Sequence, residues 1–141
     1  MNSKEPRGIR NNNPLNIRIG NRWQGEVSTP TDNQFEQFED MKWGVRAAFI
    51  IIKNYIRRYK LYTIPDIISR WAPNNENDTS NYVKKVLEFS GYSSQHRFDW
   101  QNINEMTALF QAMCKVENGV GIDVSIIKEG YYLALGINGK L

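Results

Sequence analysis

Apolar residues recur every three or four positions over most of the chain after residue 40, which predicts a series of amphipathic helices. The first is a long helix capped by Asp40. Thr63 opens a second, because Pro65 suits its first turn and Asp66 follows three residues after the cap. Pro73 and the Asn residues after it end that helix. The residues predicted to face inward from these two helices are Val45, Ala48, Phe49, Ile52, Ile56, Tyr59, Ile67, Ile68 and Trp71.

The same periodicity predicts three further helices in the second half of the chain. Their ends are set by N-cap residues and by glycines, which accept the left-handed conformation at a helix C-terminus. The expected bounds are Asp78 or Thr79 to Gly91, residues 104 to Gly119, and Asp123 or Ser125 to Leu135 before Gly136.

Residues 7–40 have a different character, since they are rich in Gly, Pro and Asn and favour turns and short strands. Residues 16–19 and 35–38 can pair as a small hairpin. The predicted fold class is therefore mainly α (α+β), a helical domain with a small β-hairpin lobe. We expect one domain over residues 1–141, of which residues 1–6 form a flexible tail.

Composition limits the chemistry. Lys and Arg number 18 and Asp and Glu 15, so the net charge is +3 and the pI about 9.0, a weak indication of an anionic partner. Cys114 is the one cysteine, which excludes an internal disulfide, and its place on an apolar stripe predicts an inert core thiol. His96 is the one histidine, which argues against a Ser/His triad or a multi-histidine zinc site. We expect no metal and no cofactor.

The sequence also predicts where the protein is synthesised and that it neither inserts into membranes nor binds nucleic acid. Its polar N-terminus does not resemble a signal peptide, and residues 47–52 are too short an apolar run for stable membrane insertion. We expect synthesis in a cytoplasm, with another route for any action outside it. Arg57, Arg58 and Lys60 suit a nucleic-acid binder, but such a cluster is more often a solvated helix face. The expected state is a monomer without a nucleic-acid partner.

Glu117 is the most informative residue. It lies four residues after Met113 and three after Cys114, so it continues the apolar stripe of its helix. An inward carboxylate in the last helical turn is desolvated and faces the negative end of the helix dipole, and both effects raise its pKa. A protonated Glu near neutral pH is the general acid used for glycoside cleavage. The alternative is a helix-end Glu that turns out to water.

Two polar segments suit a sugar-binding groove. Carboxamides at Asn11, Asn12 and Asn13, followed by Trp23, offer two-sided hydrogen bonding and an aromatic face. The loop from Trp71 to Thr79, followed by Tyr82, offers the same groups. Ordinary turns and helix caps would use the same residue types. Four acids on these segments are candidates for a second catalytic carboxylate, although most such acids are simply solvated: Glu26, Asp32, Glu76 and Asp78.

The order of these motifs resembles the lysozyme-like N-acetylglucosaminidases of the flagellar and autolysin type. The shared features are Asn-Asn-x-Leu-x-Ile-Arg, then Trp-x-Gly, then an aromatic strand at Phe35 and Phe38, then a helix start. The opening Arg-Gly-Ile-Arg-Asn-Asn-Asn-Pro and the Trp-Ala-Pro…Glu-Asn-Asp-Thr loop are similar to small phage-borne lysozyme-like proteins. The resemblance covers roughly residues 7–90 and implies a peptidoglycan hydrolase, either an endolysin or a virion protein.

The chain departs from that family in one respect. In those enzymes the helix that ends in the catalytic Glu precedes the Asn-Asn motif, whereas here the matching helix, with its Glu-x-Gly ending at Glu117, follows it. A circularly permuted order explains this difference.

The resemblance implies that Glu117 protonates the glycosidic oxygen between N-acetyl sugars of peptidoglycan. Water steered by a second carboxylate, the substrate's N-acetyl group, or its 6-hydroxyl in a lytic transglycosylase then completes the reaction. The protein reaches the wall after holin-type release or within a virion. The runner-up is a non-catalytic virion or wall-binding protein on the same fold.

Overall fold

The computed structural model describes residues 5–73 and 76–136, without the side chains of residues 76 and 77. This part of the chain is mainly helical, as predicted. None of its helices is long and apolar enough to cross a membrane. The helices are α1 (Arg7–Arg10), α2 (Met41–Arg57), α3 (Ile64–Trp71), α4 (Glu76–Ser90), α5 (Ile103–Asn118) and α6 (Val124–Leu135).

Local caps set most helix ends where the sequence predicts them. The Asp40 carboxylate accepts a hydrogen bond from the backbone N–H of Lys42 at 3.3 Å, and Thr63 Oγ1 accepts one from Asp66 at 3.3 Å. Gly119 and Gly136 end α5 and α6 in the left-handed region, with φ of 77° and 76°.

Two helix predictions need correction. α4 begins at Glu76, ahead of the predicted start at Asp78 or Thr79. The Thr79 hydroxyl lies within its first turn and donates to the backbone carbonyl of Ala72 at the end of α3. The single turn α1 was not predicted, since four residues are too few to show a helical period.

The hydrophobic core lies between α2 and α6 and continues between α4 and α5. Phe49 of α2 is at its centre, with ring centroids 4.8 Å from Phe110 and 5.5 Å from Tyr131. Gly130 lets α6 approach α2 closely, because a Cβ there would lie 2.4 Å from Cγ1 of Val45. This helical core is the rigid support on which the N-terminal third rests.

The predicted pairing of residues 16–19 with 35–38 forms in part, as an isolated antiparallel bridge between Arg18 and Phe35. A second isolated bridge joins Phe38 to Glu26, which lies outside the predicted hairpin. The described residues contain no strand that is longer than these isolated bridges. The chain between α1 and the hairpin packs on the start of α2, where a Cβ at Gly44 would lie 1.9 Å from the carbonyl oxygen of Asn12. The N-terminal third is therefore held by close backbone contact.

Candidate functional site

Glu117 lines a cavity of about 440 Å³ between the N-terminal third and the helices. This cavity is here called the Glu117 pocket. Its walls come from parts of the chain that are far apart in sequence: the turn at residues 11–16, here called the Asn turn, the hairpin, α2, and the ends of α3 and α5. The lining residues are Asn16, Ile17, Arg18, Phe35, Ile51, Tyr55, Trp71, Ala72, Pro73 and Glu117.

Two hydrogen bonds hold the Glu117 carboxylate. Asn16 Nδ2 donates to Oε1 at 2.8 Å, and the Tyr82 hydroxyl donates to Oε2 at 2.9 Å. The Trp71 side chain lies beside the carboxylate in the pocket lining and favours its ionised form. The carboxyl group therefore points inward, as the apolar stripe of α5 predicts, and its position is fixed from three segments.

Burial raises the pKa of Glu117 above its ordinary value. The hydrogen bonds from Asn16 and Tyr82, the Trp71 side chain and the charge of Arg18 lower it, but burial is the largest effect. The same burial, with repulsion from Glu117, raises the pKa of the Tyr82 hydroxyl well above its ordinary value, so Tyr82 stays a neutral donor. The pocket thus holds a carboxyl group that keeps its proton to a higher pH than an ordinary Glu does.

Asn16 is a site residue that the sequence analysis did not single out. It lies in the left-handed region with φ of 55°, and its backbone N–H donates to Asn13 O at 2.9 Å. Asn is among the few residues that tolerate this conformation. The turn aims the Asn16 amide at Glu117, although the two residues are 101 positions apart.

Asn118 ties the end of α5 to the same turn. Its Nδ2 donates to Pro14 O at 2.7 Å and to Cys114 O at 3.1 Å, and the residue is buried. Gly8 allows this approach, because a Cβ there would lie 2.5 Å from Asn118 Oδ1. The residue next to Glu117 therefore fastens the acid's helix to the N-terminal third.

The prediction that Asn11, Asn12 and Asn13 line the groove around Glu117 is wrong. Asn13 is fully buried, and its amide bonds the backbone of Ile17 and Glu36 at 2.9 Å. Asn12 Nδ2 donates to Phe38 O at 3.0 Å. Asn11 is buried beside a separate polar cavity of about 450 Å³ and bonds Asp32 and Gln37. These amides build the turn that carries Asn16.

The structure brings some of the remaining candidate binding residues to the Glu117 pocket and not others. Trp71 lines the Glu117 pocket and Tyr82 bonds the acid, so the structure brings both to the site. Trp23 packs half-buried against the core and does not line the pocket, so it offers no ring face there. Thr79 is turned toward Ala72 and holds two helices together.

Asp32 is occupied by structural contacts. Its carboxylate receives two hydrogen bonds of 2.7 Å from the Arg7 guanidinium and others from Asn11 and from the backbone of Gln34 and Phe35. The hydrogen bonds from Arg7 are the main reason that the pKa of Asp32 lies far below its usual range. Asp32 does not line the Glu117 pocket, so the structure contradicts its role as second carboxylate.

Glu26 also lies away from the Glu117 pocket. It lines another cavity together with Glu36, a buried acid that the sequence analysis overlooked. Burial, followed by the contact with Glu26, raises the pKa of Glu36 to about 7. Asp78 is exposed and lies outside the pocket lining, and the side chain of Glu76 is outside the described residues.

Replacing Glu36 by Gln should stabilise the protein above neutral pH. Between the ordinary pKa of 4.5 and about 7, folded Glu36 keeps a proton that the unfolded chain has lost, so the free energy of unfolding falls as pH rises through this range. We expect Glu36→Gln to gain about 1–2 kcal/mol over the parent at about pH 8 and little at about pH 4, measured by urea unfolding. Exposed Glu39→Gln is the control, and an equal gain there would contradict the assignment.

Replacing Tyr82 by Phe should raise the pKa of Glu117. The Tyr82 hydroxyl stabilises the carboxylate by donating to Oε2, and Phe keeps the ring without the donor. Carbon-13 titration of labelled Glu carboxyl groups measures the shift without any need for activity. Tyr59→Phe, at an exposed position outside the pocket, should leave it unchanged. A lower Glu117 pKa in Tyr82→Phe would contradict this account.

The described residues contain no group of three potential His, Cys, Asp or Glu ligands that could hold a metal ion. Cys114 is buried, and burial raises its thiol pKa to about 11, so it is not a reactive nucleophile. The chemistry that the pocket offers is proton transfer by one carboxyl group beside aromatic and amide side chains.

Comparison with known proteins gives one informative relative. No protein-family model matches the chain. The chain is 41% identical to Protein P5 of Pseudoalteromonas phage PM2 over 119 residues, which cover 80% of this chain and 71% of that protein. A bacteriophage association is thereby supported. At this identity and coverage, the chain belongs to the family of Protein P5 of Pseudoalteromonas phage PM2.

Proposed function

We propose that this chain is a lysozyme-like bacteriophage glycosidase that cleaves peptidoglycan glycan between N-acetyl sugars, with Glu117 as the general acid. The observation that carries the proposal is the placement of Glu117, a carboxyl group with a raised pKa at the end of α5, in the lining of a cavity of about 440 Å³. Glycosidases need such an acid to protonate the leaving oxygen.

The first step uses the protonated form. Glu117 donates its proton to the glycosidic oxygen, the bond from this oxygen to C1 breaks, and an oxocarbenium-like centre develops. Asn16 and Tyr82 then stabilise the carboxylate that remains, because both donate hydrogen bonds to it. The Trp71 ring and Tyr55 supply aromatic faces on the pocket wall for the sugar rings.

For the second step, a nucleophile on the substrate is favoured over a second carboxylate of the protein. Among the described lining residues, Glu117 is the one carboxylate, and Glu26, Asp32 and Asp78 lie elsewhere. We therefore favour attack on C1 by the N-acetyl group or by the 6-hydroxyl of the same sugar. In the latter case Glu117 takes back the hydroxyl proton, an anhydro sugar forms and no water is consumed.

The circularly permuted lysozyme-like arrangement is part of this proposal. Its support is that the end of α5 meets the Asn turn and the hairpin, as the motif order of the autolysin family requires. A role in wall lysis follows, with the protein released through a membrane lesion or carried in the virion.

The second candidate is a non-catalytic phage virion or wall-binding protein that keeps the groove. Membership of a phage protein family favours it, because the relative's name gives a phage source and no enzymatic activity. By itself the comparison supports this candidate more directly than it supports catalysis.

Digestion of purified peptidoglycan separates the two candidates. We expect clearing in a zymogram and, by mass spectrometry, muropeptides cut at one type of glycosidic bond. Anhydro ends would assign the reaction to the 6-hydroxyl, and reducing ends to hydrolysis. Binding to the wall without any cleavage would reject the glycosidase and retain the second candidate.

A further inference from the structure

Arg18 is the one charged residue besides Glu117 that lines the Glu117 pocket in the described part of the chain. Its guanidinium carbon lies 4.8 Å from the centroid of the Phe35 ring, and the backbones of these two residues form a β-bridge. The side chain is exposed, and no acidic group of the described residues forms an ion pair with it. Arg18 therefore lies at the pocket with no ion-pair partner among the described residues, and its charge acts on Glu117 without a salt bridge.

Arg7 is an arginine on the same aromatic ring that does have an ion-pair partner in the protein. Its guanidinium also lies on the Phe35 ring, 4.5 Å from the centroid, but it donates two hydrogen bonds of 2.7 Å to the Asp32 carboxylate. The two arginines thus share one aromatic ring and differ in their partners. Arg7 stabilises the protein's own structure, whereas the N–H donors of Arg18 are available to bind a ligand.

The charge of Arg18 opposes the chemistry assigned to its neighbour. It favours the ionised form of Glu117 and so works against proton donation. The other groups around Glu117 are Asn16, Trp71 of α3, Tyr82 of α4 and Cys114 of α5, and they are neutral near neutral pH. Neutralising Arg18 would therefore remove the charge that, among the described residues, favours the ionised form of Glu117.

We propose that the Glu117 pocket is built for a glycan that carries a carboxylate beside the scissile bond, and that Arg18 binds this carboxylate. The inference rests on the proposed function and narrows its substrate to acidic N-acetyl glycans. Muramyl sugars qualify through their lactyl group or through the attached peptide, whereas neutral N-acetylglucosamine oligomers do not. Substrate binding then strengthens the acid, because the substrate carboxylate cancels the attraction of Arg18 for the Glu117 anion.

Calorimetric binding to the inactive Glu117→Gln protein tests the proposal without turnover. The three probes are peptide-free muramyl glycan, muramyl glycan with its peptides, and neutral N-acetylglucosamine oligomers of matched length. We expect at least one acidic probe to bind about tenfold tighter than the neutral one, as one charge-assisted contact predicts. Preference for the peptide-free strand assigns the contact to the lactyl carboxylate, and preference for the peptide-bearing strand assigns it to the peptide.

The matched variants isolate the guanidinium. Adding Arg18→Gln should abolish the preference for acidic glycan, and Arg18→Lys should restore part of it. Arg22→Gln removes the same charge from an exposed position outside the pocket and should change nothing. In the free protein with Glu117 intact, Arg18→Gln should raise the pKa of Glu117, which carbon-13 titration of labelled Glu carboxyl groups measures.

The outcomes distinguish this inference from the proposed function. Equal affinity for acidic and neutral glycans, with cleavage of both, would overturn the role of Arg18 and leave the glycosidase intact. A preference that persists in Arg18→Gln would also overturn it. Absence of binding to all three glycans would reject the proposed function itself.

Discussion

Replacing Glu117 by Gln should reduce lytic activity at least about a hundredfold, because the change keeps the shape of the side chain and removes the proton donor. The fold should persist, since Asn16 and Tyr82 can still hydrogen-bond an amide. Turbidity clearance of peptidoglycan suspensions measures the effect. Glu39→Gln, at an exposed position on the N-terminal third, is the matched control and should retain full activity.

The same variant should be more stable than the parent protein above neutral pH. Folded Glu117 has a raised pKa, so the folded state binds its proton more tightly than the unfolded chain, and stability is lost as pH rises through the folded pKa. Gln carries no charge and escapes this loss. A variant that is inactive and more stable indicates a side chain retained for chemistry at the expense of stability. Undiminished clearance by Glu117→Gln would eliminate the catalytic assignment.

Replacing Gly44 by Ala should have the largest effect on folding. The new Cβ would lie 1.9 Å from the carbonyl oxygen of Asn12, a backbone atom that cannot move by rotating a side chain. We expect a loss of about 1–3 kcal/mol in the free energy of unfolding, typical of overpacking. Activity should fall further than stability alone explains, because the displaced turn also carries Asn16 to Glu117.

Gly20→Ala is the control for this experiment. A Cβ at Gly20 meets nothing within 4 Å, and the residue is exposed. Urea unfolding and clearance assays on both variants should separate the contact from the general effect of adding a methyl group. If Gly44→Ala matched Gly20→Ala in both assays, the docking of the Asn turn on α2 would not position the acid.

The helices could be predicted because their determinants are local. Asp40 and Thr63 cap the helices that follow them, and Gly119 and Gly136 end α5 and α6. The inward direction of Glu117 was predictable for the same reason, since α5 itself fixes which residues share a face. These features need only a few neighbouring residues and no knowledge of the rest of the fold.

The partners of Glu117 could be predicted only in part. Tyr82 and Trp71 were found because they flank a polar loop whose amide and aromatic groups suit sugar binding, whereas Asn16 resembles the other Asn residues of its segment. An Asn that binds a sugar and an Asn that binds a backbone carbonyl are the same residue type in the sequence. Only the folded structure distinguishes Asn13, which is buried among backbone groups, from Asn16, which faces the acid.

The bond from Asn16 to Glu117 spans 101 positions, and that from Asn118 to Pro14 spans 104. Contacts of such high sequence separation carry a large loop-closure entropy and depend on the elements between them being in place. The pocket is therefore a product of completed folding. A chain still being synthesised contains the Asn turn long before it contains α5, so it holds no assembled acid until nearly all of its residues have been joined.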